Sequence, residues 1–142
     1  MREILFRGKT QDGKWILGSL INCKNVIGGI VSKYDLITEP YLIEQKTIGQ
    51  YTGLTDKNGT KIFEGDIVRA ISLPTMVGRI SWGSYYDSDE GIDGYGWFIW
   101  SDNAMDTFCY SFTLEKSIDL EIVGNIHDNP ELLNEVSCNE TN

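Results

Sequence analysis

Four carboxylates fall within seven residues between Asp87 and Asp93, at Asp87, Asp89, Glu90 and Asp93. Oxygen ligands gathered on a flexible loop are what calcium favours. The EF-hand spacing nevertheless fails. Counted from Asp87, the required glycine falls on Ile92 and the twelfth-position glutamate on Phe98. The segment is therefore read as a solvated hairpin loop, with a cation site at those four residues as the alternative. Tyr85, Tyr86, Tyr95 and Trp97 flank the acids, and Trp82 precedes them. Aromatics beside acid groups suit a protein-contact surface, because aromatic rings are enriched at interface centres. Core packing is the competing use of the same rings, for Trp82, Trp97 and Trp100 above all.

Acid–base chemistry has a thinner basis. Glu64 and Asp66 stand two apart, so an extended strand would turn both carboxylates to one side, and His127 is the single histidine. Gly65 between the two acids points instead to a bend with charged shoulders. A lone histidine beside Asp128 leaves no nucleophilic triad to assemble. There is no glycine-rich phosphate loop, dinucleotide fingerprint or closely spaced metal-ligand pair. Cys23, Cys109 and Cys138 are odd in number and far apart, which reads as incidental or buried thiols. No catalytic residue, no enzyme activity and no cofactor are expected.

The elements that would hold these residues are strands. Asp56-Lys57-Asn58-Gly59 lies between two apolar or aromatic runs, and Asn-Gly there is a strong short-range hairpin cue. Gln11-Asp12-Gly13 marks an earlier hairpin ahead of a strand over residues 14–22. After Gly65, apolar runs at Asp66–Ile71, Gly78–Trp82, Gly96–Trp100, Phe108–Leu114 and Asp119–Ile126 form five short strands with glycine-rich turns between them. The expected class is mainly β: N-terminal hairpins packed on a small SH3-like barrel or curled antiparallel sheet. Asp128 or Asn129, followed by Pro130, predicts a short C-terminal helix. Three segments follow: a hairpin module over 1–63, a barrel module over 64–127, and a helix with a frayed acidic tail over 128–142.

With 142 residues, the chain buries about 70% of the surface its unfolded form exposes, so it needs neither disulfide nor metal to fold. Its 11% aromatic content and fifteen glycines favour strands and turns over helices. No long apolar run suggests a signal peptide or membrane span, so a cytoplasmic protein is expected. Charge is divided unevenly along the chain. Residues 1–79 carry eleven Lys and Arg against eight Asp and Glu, a net of +3, while residues 80–142 carry one against thirteen, a net of −12. That field repels phosphate backbones, so direct nucleic-acid binding is disfavoured. It suits a basic partner or a head-to-tail contact between copies.

Several blocks along the chain fit one family. They are Phe6-Arg7-Gly8, Trp15 with Gly18-Ser19-Leu20, the run from Thr47 to Leu54, Asp56-Lys57-Asn58-Gly59, and Ile62 to Val68. A strand ending in Trp82, Gly124-Asn125-Ile126 and Asn129 to Leu133 complete the set. Taken in this order they resemble the YopX family of phage and prophage proteins. The resemblance implies a small, mainly β protein of phage or prophage origin in the bacterial cytosol, of unassigned role, and it carries over no catalytic or binding residue. Two functions are expected from different classes. One is a non-enzymatic β module that forms homo-oligomers or binds a host or phage protein through Trp82, Tyr85, Tyr86, Tyr95 and Trp97. The other is an acidic nucleic-acid mimic, or an accessory to nucleic-acid enzymes.

Overall fold

The computed structural model describes the backbone of residues 3–23, 26–32, 41–74, 76–102 and 107–133. Their strands form two antiparallel sheets. The chain divides into two compact units, Met1–Gly53 and Leu54–Asn142. The expected division after residue 63 thus differs from the observed one, because Leu54 and Ile62 pack with the second unit's core.

In the first unit, β1 (Phe6–Lys9), β2 (Trp15–Cys23), β3 (Val26–Ser32), β4 (Tyr41–Leu42) and β5 (Gly49–Thr55) run in the order β4-β3-β2-β1-β5. The Asp12-Gly13 turn joins β1 to β2, with the Thr10 N–H donating to the Lys14 carbonyl at 2.9 Å. Thr47 is buried where β1 ends. Its Oγ1 accepts the Lys9 N–H at 2.8 Å and donates to the Glu44 carbonyl at 2.6 Å. The Arg7 guanidinium lies 4.9 Å from the Trp15 ring centroid, a cation–π contact.

In the second unit, β5 turns through Asp56–Gly59 into β6 (Lys61–Phe63). A five-stranded sheet follows, built from β7 (Asp66–Ala70), β8 (Val77–Asp87), β9 (Ile92–Asp102), β10 (Thr107–Ser111) and β11 (Leu120–Asn125), in the order β10-β9-β8-β7-β11. Alternation puts every second residue on one face. That face buries Val68, Ala70, Ile80, Ile99 and Leu120 against Ile62 and Phe112. Each fully buried aliphatic side chain there contributes about 1.5–3 kcal/mol.

The sheet is curled but is not a closed barrel. Closure would require β10 to pair with β11, yet the two are the outer strands of the sheet and one N–H of each is already taken by a carboxylate. Ser111 N–H donates to Asp87 at 2.8 Å, and Ile122 N–H donates to Asp56 at 3.2 Å. The SH3-like barrel is therefore not supported, and the curled-sheet alternative describes the unit better. A helical turn, α1 (Leu114–Ser117), lies between β10 and β11 and begins at the last residue of the expected fourth strand, with Thr113 Oγ1 accepting the Lys116 N–H at 3.3 Å.

The C-terminal helix is not supported either. Asn125 takes the capping role: its Oδ1 accepts the N–H groups of His127 and Asp128 at 3.0 and 2.9 Å. Turns follow through Glu131, and only Leu132 and Leu133 are helical before the described residues end. The tail over 134–142 lies outside them. Among the described residues, no helix is long and apolar enough to cross a membrane.

Candidate functional site

β8 and β9 are each eleven residues long and pair without a break from Arg79–Trp100 to Asp87–Ile92. The stretch expected to be an acidic loop is therefore mostly strand, and the true loop is only Ser88–Gly91. Register decides which aromatics share a face. Trp82 stands opposite Trp97, Ser84 opposite Tyr95 and Tyr86 opposite Asp93, on the face that carries Ile80 and Ile99 at its base. The core face thus continues past the core as an exposed strip. Trp82 is 49% exposed and Tyr95 74% exposed, while Trp97 is half-buried against the core cluster. The Trp82 ring meets Trp97 edge-on at 4.9 Å and Tyr95 edge-on at 5.8 Å between centroids. Interlocked rings of this kind present a large apolar contact at little conformational cost, since each is already held by its neighbour.

Tyr85 belongs to the opposite face. Its ring packs on Phe98 at 5.5 Å and lies across Gly94, where a Cβ would come within 2.3 Å of Tyr85 Cζ. The five rings singled out from sequence are thus split. Trp82, Tyr86, Tyr95 and Trp97 form one strip, and Tyr85 helps to line the other side.

The four acids also part company. Asp87 is fully buried, and its oxygens are turned inward. Oδ1 accepts the N–H groups of Asp89 and Glu90, both at 2.9 Å, and Oδ2 accepts the Ser111 N–H and lies 3.5 Å from Lys116 Nζ. Burial pushes the carboxyl up, but the donated hydrogen bonds from Ser111, Glu90 and Asp89 outweigh it and hold the group well below the usual carboxylate range. Asp89, Glu90 and Asp93 face solvent. Among the described residues, no three His, Cys, Asp or Glu side chains are grouped to hold a metal ion.

Glu64, Gly65 and Asp66 form a bend, with the Gly65 N–H donating to the Ile80 carbonyl at 2.9 Å and the Gly65 carbonyl accepting the Ile126 N–H at 2.9 Å. Asp66 is buried, and its Oδ2 accepts the Phe63 N–H at 2.7 Å. A Cβ on Gly65 would sit 3.7 Å from His127 Nε2, so the chain does bring the histidine to this bend. The arrangement ties β6, β7, β8 and the end of β11 together.

Asp56, which the sequence marks only as a turn residue, does more than shape its turn. Its carboxylate is buried and spans three segments, accepting from Asn58 N–H at 2.9 Å, Thr60 N–H at 3.0 Å and Ile122 N–H at 3.2 Å. A sequence signal existed: each long hairpin loop opens with aspartate and closes on a glycine three or four residues later, at Asp56–Gly59 and Asp87–Gly91. Cys109 is a free cysteine, buried so that its thiol is pushed up from its ordinary value.

The fold and the site define a mainly β protein of two compact units, with an exposed aromatic face on the β8–β9 hairpin. A family model described as YopX protein matches residues 5–134, and the chain belongs to the YopX family. Among solved structures, protein EF1440 from Enterococcus faecalis is similar at 24% identity and a TM-score of 0.49, covering 94% of this chain and 99% of that one. No curated protein matches this chain.

Proposed function

We propose that the protein is a non-catalytic β module that associates with a second copy of itself through the strip formed by Trp82, Tyr86, Tyr95 and Trp97. The observation that carries this reading is the exposure of interlocked aromatic rings on a paired, rigid hairpin. Charge supports the choice of occupant. The strip belongs to the half of the chain with a net of −12, and the other half carries +3, so a head-to-tail contact sets opposite fields against each other. A basic host or phage protein is the alternative occupant. The proposal includes the phage or prophage origin and the bacterial cytosol that the resemblance implies.

Light scattering tests it. At about 0.05 M salt the expected mass is a multiple of the 16.0 kDa chain, shrinking toward one copy at about 0.5 M as screening weakens the charge contact. The double variant Trp82→Ser, Tyr95→Ser is expected to be monomeric at both. A single-copy mass at every ionic strength sinks the proposal. The same net of −12 favours a second reading, an acidic mimic that occupies a nucleic-acid enzyme. It predicts nucleases or polymerases in a pull-down from bacterial lysate, captured equally by the double variant.

A further inference from the structure

The face of β8–β9 opposite the aromatic strip holds a concavity of about 460 Å³. Its existence follows from the curl. Arg79, Trp100 and Cys109 are register neighbours across β8, β9 and β10, yet Ser88, nine residues beyond Arg79 on the chain, donates its N–H to the Cys109 carbonyl at 2.9 Å. The far end of the hairpin therefore arches back over its own base, and the space under the arch is lined by Arg79, Tyr85, Phe98, Trp100 and Cys109, with Ser81, Ser84, Tyr86 and Ser88 at its margin. The volume lies within the range of about 300–1,000 Å³ usual for small-molecule sites, and a lining that mixes aromatic rings with an arginine and serine hydroxyls is also usual there.

Arg79 is the polar group that stands out. Its Nε is buried and has no hydrogen-bond partner among the described residues. A guanidinium is always charged and offers its donors in a planar fork that matches a carboxylate or phosphate. Holding such a donor out of water without an acceptor works against folding. An anion entering the concavity supplies the missing acceptor, and the ring walls supply stacking surface. Asp87 is the nearby charge that opposes an anion, acting on the Cys109 side, and Lys116 at 3.5 Å from its Oδ2 offsets it.

We infer that this concavity binds a small ligand in which a planar ring carries an anionic group, with Arg79 on the anion and Tyr85, Phe98 and Trp100 around the ring. Tyr86 borders both this concavity and the proposed association surface, whose other rings, Trp82, Tyr95 and Trp97, do not line the concavity. Two sources share this chemistry, a nucleotide and an aromatic acid, and two probe pairs separate them. Adenosine 5′-monophosphate is compared with adenosine, and indole-3-acetate with indole-3-acetamide, by saturation-transfer NMR and calorimetry on the full chain. At least one anion is expected to bind with Kd below about 1 mM, and its neutral partner about tenfold or more weakly. Whichever anion binds names the source.

Arg79→Met keeps the apolar stem and is expected to weaken the anion about tenfold or more while leaving thermal stability unchanged or raised. Trp82→Ser, on the other face, is expected to leave binding unchanged. The inference is overturned if neither anion binds, or if the neutral partners bind as tightly. That comparison uses the unaltered protein and holds whether or not the variant folds. Undiminished binding to a folded Arg79→Met variant overturns it equally.

Discussion

The two acidic hairpin turns of the second unit are built alike and used differently. In each, an aspartate opens the turn, one carboxylate oxygen accepts two N–H groups of its own loop, and the other reaches the outward N–H of an edge strand. Asp56 reaches Ile122 on β11, and Asp87 reaches Ser111 on β10. Both edges of one sheet are thus blocked by a buried carboxylate, which protects them from pairing with another chain as well as from each other. The difference lies in what surrounds the carboxylate. Asp56 leads a turn whose Lys57 N–H is bonded to the Leu120 carbonyl, so that loop is fastened to the sheet at both ends. Asp87 is fully buried, has Lys116 beside it, and holds down the end of an arch with a concavity beneath it. One device closes an edge in the first case and also shapes a cavity in the second.

Removing each carboxylate measures how far the likeness extends. Asp87→Ala strands the Ser111, Asp89 and Glu90 donors and uncouples Lys116, which is expected to cost about 3–4 kcal/mol in urea unfolding. Asp56→Ala strands a comparable set, but Asn58 and Thr60 are exposed and water replaces part of what is lost, so about 2 kcal/mol is expected. A larger loss at Asp56 than at Asp87 breaks the ranking. Asp87→Ala is also expected to loosen the concavity, quenching anion binding there, whereas Asp56→Ala leaves it intact.

Acid sharpens the contrast. The folded Asp87 carboxyl sits well below the ordinary value of 3.8, so its contribution is complete above about pH 4 and is lost as pH falls further, when the unfolded chain takes up a proton that the native state does not. The stability gap between the unaltered protein and Asp87→Ala is therefore expected to narrow by about 1.4 kcal/mol per pH unit below about pH 4. Circular dichroism with urea at several acid pH values measures the gap. A gap that stays constant from neutral pH down to about pH 2.5 shows that the carboxyl is not depressed.

What could be read from sequence follows the range of the interaction. The Asp56–Gly59 turn was legible because Asn-Gly acts locally, and all five later strands were found because apolar alternation is also local. β8 and β9 were cut short, since Gly83, Gly94, Gly96 and the acids look like a loop until cross-strand partners are known. Asp87 reads from sequence as part of a solvated loop, with a cation site as the alternative, because its decisive partner, Ser111, is 24 residues away. Arg79 gave no signal: an arginine in GRISW reads as the polar side of an exposed strand, and only the arch makes that side an interior. The split of Tyr85 from its neighbours was legible in principle from period two, but it required knowing that the strand runs unbroken through Gly83.

The smallest effects test whether the two turns share a backbone device as well as a carboxylate. Gly59 and Gly91 close them with φ of +80° and +71°, a region where a Cβ costs most residues about 1 kcal/mol but asparagine less. Space does not interfere at either position. A Cβ on Gly59 meets nothing within 4 Å, and one on Gly91 meets only the Tyr86 hydroxyl at 3.6 Å. Gly→Ala is therefore expected to cost about 1 kcal/mol at both, and Gly→Asn about half of that. Equal pairs of values mean that both loops are governed by local backbone preference. A Gly91→Asn variant markedly less stable than Gly59→Asn would instead show that the second turn is held by Tyr86 packing. In that case the likeness between the turns ends at the aspartate, and the arch rests on the aromatic hairpin more than on its loop.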